Sequence, residues 1–217
     1  MAGNIDGGFA AHGLACIRGE RSVFAGVDFA IAPGGALLLR GPNGSGKSSL
    51  LRLLAGLLAP AAGTITWHGA PVADDAAAHY ARLRYVGHLD AVKPVLTVAE
   101  NLTFWAGLLT SPDGAPDAAK RALERLGIGH LADVPAQLLS AGQRRRLGLA
   151  RLVAAPAPLW LLDEPTVTLD SASVAIVEAM IAEHRAAGGL AVVATHGGLA
   201  VPDAAALDLG AIGGAAP

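Results

Sequence analysis

Residues 36–58 read ALLLRGPNGSGKSSLLRLLAGLL, and few stretches restrict a fold more tightly. The unbroken apolar run at Ala36–Arg40 is the pattern of a strand buried on both faces, as in a parallel sheet. The leucines at 50, 51, 53, 54, 57 and 58 are spaced for one face of a helix over 48–58. Between them, Gly41 to Ser48 fits G-x-x-x-x-G-K-[ST]. The turn residues Gly41, Pro42, Asn43, Gly44, Ser45 and Gly46 let backbone N–H groups face inward around a phosphate. The helix start at Ser48 and Ser49 adds its partial positive charge. Lys47 is placed for the terminal phosphates of a polyphosphate, and the Ser48 hydroxyl for Mg²⁺.

The rest of the chain supports an α/β reading. Val23–Ile31 partly alternates, as a strand pair or a bulged strand. GTITWHG at 63–69 reads as an antiparallel edge-type strand, and LRYVGH at 83–88 as another strand. Residues 97–109 read as an amphipathic helix with Thr97 as N-cap and Glu100 at N3. SPDGAPD at 111–117 reads as a loop, Ala118–Leu126 as a helix stopped by Gly127, and Ala141–Ala155 as a helix stopped by Pro156. LWLLDEP at 159–165 and LAVVATH at 190–196 read as buried strands, with a helix over 173–187 between them. The expectation is one domain over 1–217, mainly a parallel sheet, with a small antiparallel part and a helical insertion at about 90–155.

Composition excludes some partners. The net charge of −2 and sequence pI near 6.4 argue against nucleic-acid binding by bulk charge. One cysteine, Cys16, cannot form an internal disulfide, which suits a reducing compartment. The opening MAGNIDGGFAAHGLA lacks the basic and apolar regions of a secretory leader. Mean hydropathy is high, at +0.46, yet no segment offers the ~18 clean apolar residues of a membrane span.

Two further motifs carry chemistry. Asp163 and Glu164 end an apolar strand, where α/β sheets bind ligands. Asp163 suits Mg²⁺, and Glu164 suits polarising an attacking water. In LSAGQRRRLGLA at 139–150, Ser140 and Gln143 form a capping box. Taken as an ordinary helix start and no more, the three arginines that follow would be its solvated face. Leu139-Ser140-x-Gly142-Gln143, shortly before the Asp163–Glu164 strand, resembles the signature of ABC ATPases. The resemblance covers nearly the whole chain. It implies ATP and Mg²⁺ as cofactors and an ATP-sandwiched dimer in which Ser140, Gly142 and Gln143 of one copy face the nucleotide of the other. It implies that Asp170, in TVTLD, crosses that interface and that His196 is a switch histidine at the γ-phosphate.

The chain departs from the common pattern at two places. His88 stands where most relatives carry a glutamine beside Mg²⁺ and the attacking water; an imidazole cannot reproduce an amide's paired donor and acceptor. Arg18 stands about where most relatives stack an aromatic on adenine, and Phe24 reads as a core residue. LACIRGER, YVGHLDAVKPVLTVAENLTFWAGL and LSAGQRRRLGLARL together resemble ATP-binding subunits of cytochrome c maturation systems, described as haem exporters. That implies integral membrane permease partners docking near 88–109, a peripheral place on the cytoplasmic face of the inner membrane, and ATP hydrolysis coupled to export. No C-x-x-C-H motif is present, so direct haem attachment is not expected. The alternatives are a subunit of another exporter, for lipid or drug, or a soluble non-transport ABC ATPase. The latter suits longer insertions than the roughly 90 residues between Lys47 and Ser140.

Overall fold

A computed structural model describes residues 8–212. Part of the opening segment and the GGAAP tail lie outside them.

Five parallel strands form the central sheet, in the order β6-β7-β8-β3-β9: β6 (Leu83–Val86), β7 (Leu159–Asp163), β8 (Leu190–Ala194), β3 (Ala36–Arg40) and β9 (Ala205–Asp208). The alternation along each strand explains why the runs are apolar throughout. Leu37, Leu39, Leu159, Leu161 and Val192 face one core, while Leu38, Trp160, Leu162 and Val193 face the other. The first core is closed by α1 (Lys47–Leu54) and by an antiparallel sheet, β2-β1-β4-β5. That sheet comprises β1 (Phe9–Arg18), β2 (Arg21–Ile31), β4 (Ala62–Trp67) and β5 (Ala70–Pro71). A short helix, α2 (Ala76–Ala81), leads into β6. The second core is closed by α3 (Val98–Leu109), α4 (Ala115–Arg125), α5 (Ala141–Ala154) and α6 (Ser171–Ala186). Each fully buried Leu, Ile or Val contributes about 1.5–3 kcal/mol, so two dense cores give the sheet a rigid frame.

Several boundaries depart from expectation for physical reasons. β1 is a full strand that alternation did not reveal, because a bulge at Gly13 (φ 58) breaks the period between Ala11 and Leu14. β2 is one irregular strand with a left-handed Gly26, which settles the choice between a strand pair and a bulged strand. β4 lies between β1 and β5, so it is not the edge. α1 stops at Leu54 because Gly56 turns left-handed at φ 71. α4 starts three residues before the expected Ala118, since Pro116 is tolerated in a first turn and Asp117 suits its positive end. Both expected capping boxes form. Thr97 Oγ1 accepts from Glu100 N at 3.1 Å and Ser140 Oγ from Gln143 N at 3.2 Å, with each partner side chain accepting in return.

Candidate functional site

The ends of β3, β6, β7 and β8 converge on a cleft of about 690 Å³. Its wall contains Val23, Asn43, Gly44, Gly46, Lys47, Ser48 and Ser49 from the glycine-rich side. Asp163 ends β7, and His88, Glu164 and His196 come from the loops beyond β6, β7 and β8. Gly46 caps α1 at φ 101 with no side-chain partner, so the first N–H groups of this helix stay open to the cleft. A Cβ on Gly46 would lie 2.7 Å from Val23 Cγ1 and 2.9 Å from Phe24 Cδ1, so no larger residue fits. Phe24 is fully buried, as read from the sequence. Lys47 is only 7% exposed; its Nζ donates to the carbonyls of Gly41 (2.7 Å) and Pro42 (3.1 Å). The loop therefore holds the cation in place before any ligand arrives. Ser45 N donates to Pro42 O, while Ser45 Oγ is buried without a partner.

Across the cleft, Asp163 is buried at the end of β7. Glu164 follows in the left-handed region, φ 50, where a non-glycine residue costs about 1–3 kcal/mol and persists only if its surroundings hold it. Glu164 N donates to Ala194 O at 2.9 Å. Its Oε2 accepts a long bond, 3.4 Å, from His196 N, and its Oε1 lies 3.3 Å from His196 Nε2. That contact is too poorly aligned for a hydrogen bond, so Oε1 is a buried acceptor without a protein donor.

The remaining expected residues lie elsewhere. Arg18 ends β1, pairs with Arg21 across the hairpin and is exposed; the wall on that side is made by Val23. Ser140, Gly142 and Gln143 form the start of α5 and line no part of their own chain's cleft. Gly142 admits a close approach: a Cβ there would sit 2.8 Å from the carbonyl of Thr168, itself left-handed at φ 69. Asp170 caps α6, its Oδ1 accepting from Ser173 N at 2.8 Å. Hydrogen bonds from the Ser173 side chain and backbone hold the Asp170 carboxyl below the usual range.

The arginine run is not a uniformly solvated face. Arg145 is 4% exposed, with Asp90 as its ion partner at 2.8 Å. Its helical phase with the buried Leu149 and Leu152 is the signal that marks it in the sequence. Asn101, also buried, pins the chain before α3. Its Oδ1 accepts from Lys93 N at 2.7 Å, and its Nδ2 donates to the carbonyls of Lys93, Leu96 and Thr97. Trp105 donates to Ala91 O at 3.3 Å and lies under the Arg151 guanidinium, 5.0 Å from ring centre. Burial brings the Arg151 pKa down to about 10, so it stays charged at neutral pH. In the loop before α3, Leu89 and Val95 are each 83% exposed, and on α3 Leu108 (64%) and Phe104 (44%) are exposed too.

A phosphate-cradling loop facing a strand-end carboxylate pair, with a capped signature helix turned away from that cleft, defines a nucleotide-binding subunit. The chain belongs to the ABC transporter family, which it matches over residues 24–167, and it is an ATP-binding, ATP-hydrolysing member of that class. It is 59% identical to the cytochrome c biogenesis ATP-binding export protein CcmA of Rhodospirillum rubrum, over 93% of this chain and 85% of that protein. It is 58% identical to the protein of the same name from Paramagnetospirillum magneticum, over 94% of each. Among solved structures, an ABC transporter ATP-binding protein of Pyrococcus furiosus superposes with a TM-score of 0.79 at 23% identity. It covers 95% of this chain and 99% of that one, a likeness of fold. The cbiO1 subunit of Clostridium perfringens, part of the ABC transporter complex cbiONQ, gives 0.73 at 26% identity, over 87% of this chain and 78% of that one.

Proposed function

We propose that the chain is the ATP-driven motor of a membrane export complex serving cytochrome c biogenesis, the role named for its Rhodospirillum and Paramagnetospirillum relatives. The observation that carries the motor reading is the single cleft that sets Lys47 and Ser48 opposite Asp163, Glu164 and His196. Gly41 to Gly46 wrap the phosphates with backbone N–H groups, and Lys47 exchanges its loop carbonyls for phosphate oxygens. The Ser48 hydroxyl and the Asp163 carboxylate are hard oxygen donors facing each other across the cleft. That is a fitting set for Mg²⁺, which needs only one or two protein oxygens beside phosphate. Mg²⁺ there would neutralise charge on the phosphates.

The Glu164 carboxylate, on the cleft wall, takes a hydrogen bond from the attacking water. His196 steadies that carboxylate and reaches the γ-phosphate, and His88 lies at the same wall as a second water contact. The water oxygen bonds to Pγ as the bond from Pγ to the bridging oxygen breaks; ADP leaves with that oxygen, and the water's proton passes by way of the Glu164 carboxylate to the departing inorganic phosphate or to solvent. Arg18, on the hairpin that carries Val23, is the planar group offered to the base. Its change to Ala should weaken ATP binding several-fold, since such stacking is worth about 1 kcal/mol.

Ser140, Gly142, Gln143 and Asp170 face a second copy, completing its cleft in trans. Sedimentation of Glu164→Gln with and without ATP and Mg²⁺ tests this. A shift to dimer on adding nucleotide is expected, and a monomer throughout would remove the sandwich. The exposed Leu89, Val95, Phe104 and Leu108 form the dock for integral membrane permease subunits on the cytoplasmic face. No helix among the described residues is long and apolar enough to cross a membrane, so attachment runs through those partners. The export reading is tested by purifying the chain from detergent-solubilised membranes. Permease subunits required for c-type cytochrome assembly should come with it; recovery with a lipid or drug permease would overturn the cytochrome assignment.

A further inference from the structure

Arg145 uses all five of its N–H donors inside the protein. Nη2 donates to the carbonyls of Asp163 (2.7 Å) and Glu164 (2.8 Å), and Nε to that of Pro165 (3.2 Å). Nη1 donates to Gly87 O and to Asp90 Oδ1, both at 2.8 Å. One guanidinium on α5 thus grips three consecutive carbonyls that bracket Glu164, together with the turn just before His88. Glu164 needs such a grip, because its backbone sits in the left-handed region and its own N–H supplies only the bond to Ala194.

We propose that Arg145 is a positioning residue for hydrolysis. By clasping the carbonyls of Asp163, Glu164 and Pro165, it holds Glu164 in its left-handed conformation and so keeps the carboxylate at the cleft wall. Its bonds to Gly87 and Asp90 join that turn to the His88 loop, so the catalytic turn, the His88 loop and the signature helix move as one body. This rests on the reading of Glu164 as the group that orients the attacking water. Fork geometry, and not charge, is what the role requires. Asp90 already balances the charge, and a lysine could keep that ion pair. A single ammonium cannot span carbonyls spread over three residues and a second loop. Lys47 and Ser48 share no hydrogen bond with Arg145, and its bond to Asp163 goes to the carbonyl and leaves the carboxylate free, so nucleotide affinity should not follow it.

The test uses the full chain as Arg145→Lys, Glu164→Gln and the double variant, with ATPase turnover, ATP affinity and melting temperature measured for each. Arg145→Lys should lower kcat about tenfold or more, as small misplacements of a reacting group do, and leave the ATP Kd within about twofold. Glu164→Gln should lose on the order of 10²-fold, and the double variant should be no slower than Glu164→Gln alone, because both changes remove one function. Normal kcat in Arg145→Lys beside an inactive Glu164→Gln would overturn the clasp and leave the role of Glu164 standing. So would a Kd that weakens in step with kcat, or losses that multiply in the double variant. Full turnover in Glu164→Gln would instead sink the role of Glu164, and the clasp with it. If Arg145→Lys does not fold, Arg145→Gln takes its place with the same expectations, since its amide can still bridge two acceptors. Failure of both to fold would make Arg145 a folding residue and end the proposal.

Discussion

The cleft at the ends of β3, β6, β7 and β8 and the outer face of α3 are built in opposite ways. In the cleft, backbone conformation does the work. Gly46 and Glu164 sit in left-handed conformations, Lys47 is held by carbonyls, and a single added methyl on Gly46 would collide with Val23 and Phe24. On the α3 face, the rigid parts lie underneath. Asn101, Trp105 and Arg151 tie the 90–97 loop to the helix, while Leu89, Val95, Phe104 and Leu108 stand outside the packing. The first surface should fail when its geometry shifts. The second should tolerate any side chain and fail only towards a partner.

The sharpest break concerns Glu164. Glu164→Gln keeps the backbone bonds and the cradle, so ATP binding should persist while turnover falls on the order of 10²-fold. Turnover within a few-fold of the original, in a phosphate-release assay, would show that the carboxylate is not the group that orients water. Next is Gly46→Ala. The added Cβ meets atoms at 2.7 and 2.9 Å and must adopt φ 101, so it should cost about 1–3 kcal/mol and weaken ATP binding about tenfold or more. Calorimetry and equilibrium binding would check both, and unchanged values would mean that the loop is softer than its packing implies.

How much of this was legible in the sequence follows the same division. The cradle could be read because its glycines are the conformation; no other residues supply those angles. The carboxylate pair could be read because β7 is apolar up to Asp163. The capping boxes announced α3 and α5 by local chemistry alone. β1 stayed hidden because Gly13 interrupts its alternation, and β9 because AALD has little strand propensity until β3 pairs with it. Charge alone would make Arg145 a solvated residue; its helical phase with the buried Leu149 and Leu152 points inward. Phe104, at 44% exposure, stands on the α3 face and not in the core beneath, which the helical pattern of 97–109 alone does not decide. The position of Arg18 relative to the cleft depended on how the hairpin twists, which no local pattern encodes.

Acid should separate the two regions more gently. Burial pulls the His79 pKa below its ordinary value, as it does for His184. His79 lies at 2.8 Å from Leu54 O, the end of α1, and stacks on Phe9, so it belongs to the nucleotide-binding half. A depressed pKa means that the unfolded chain binds the proton first. The stability from neutral His79 is therefore complete above about pH 6.5 and is lost as pH falls from there towards the folded value. Melting temperature should drop a few degrees between about pH 7.5 and 5.5, at about 2–4 °C per kcal/mol for a chain of this size. His79→Gln should flatten part of that slope. An unchanged slope would place the acid sensitivity elsewhere.

The smallest effect on the isolated protein should come from Phe104→Asp. A buried ring replaced by a carboxylate would cost several kcal/mol. This ring is 44% exposed, and what packs on it is the Lys93 ammonium, 5.2 Å from its centre, and the neighbouring Trp105 ring, edge-on at 5.5 Å. An aspartate loses the cation–π contact, worth about 0.5–1 kcal/mol at an exposed site, and regains part of it as an ion pair with the same lysine. The edge-on pair with Trp105 is lost as well, so stability should fall by about 1 kcal/mol or less, and basal ATPase activity by less than about twofold. Glu100→Lys is the poorer probe of the same face, because Glu100 Oε2 accepts from Thr97 N at 2.8 Å and its loss weakens the α3 cap. In cells, Phe104→Asp should leave the chain unattached to membranes and block c-type cytochrome assembly. The comparison breaks if Phe104→Asp melts far below the original, since the face would then be part of the fold. It breaks in the other direction if membrane fractions retain the variant and cytochromes mature normally, because the exposed rings would then dock nothing.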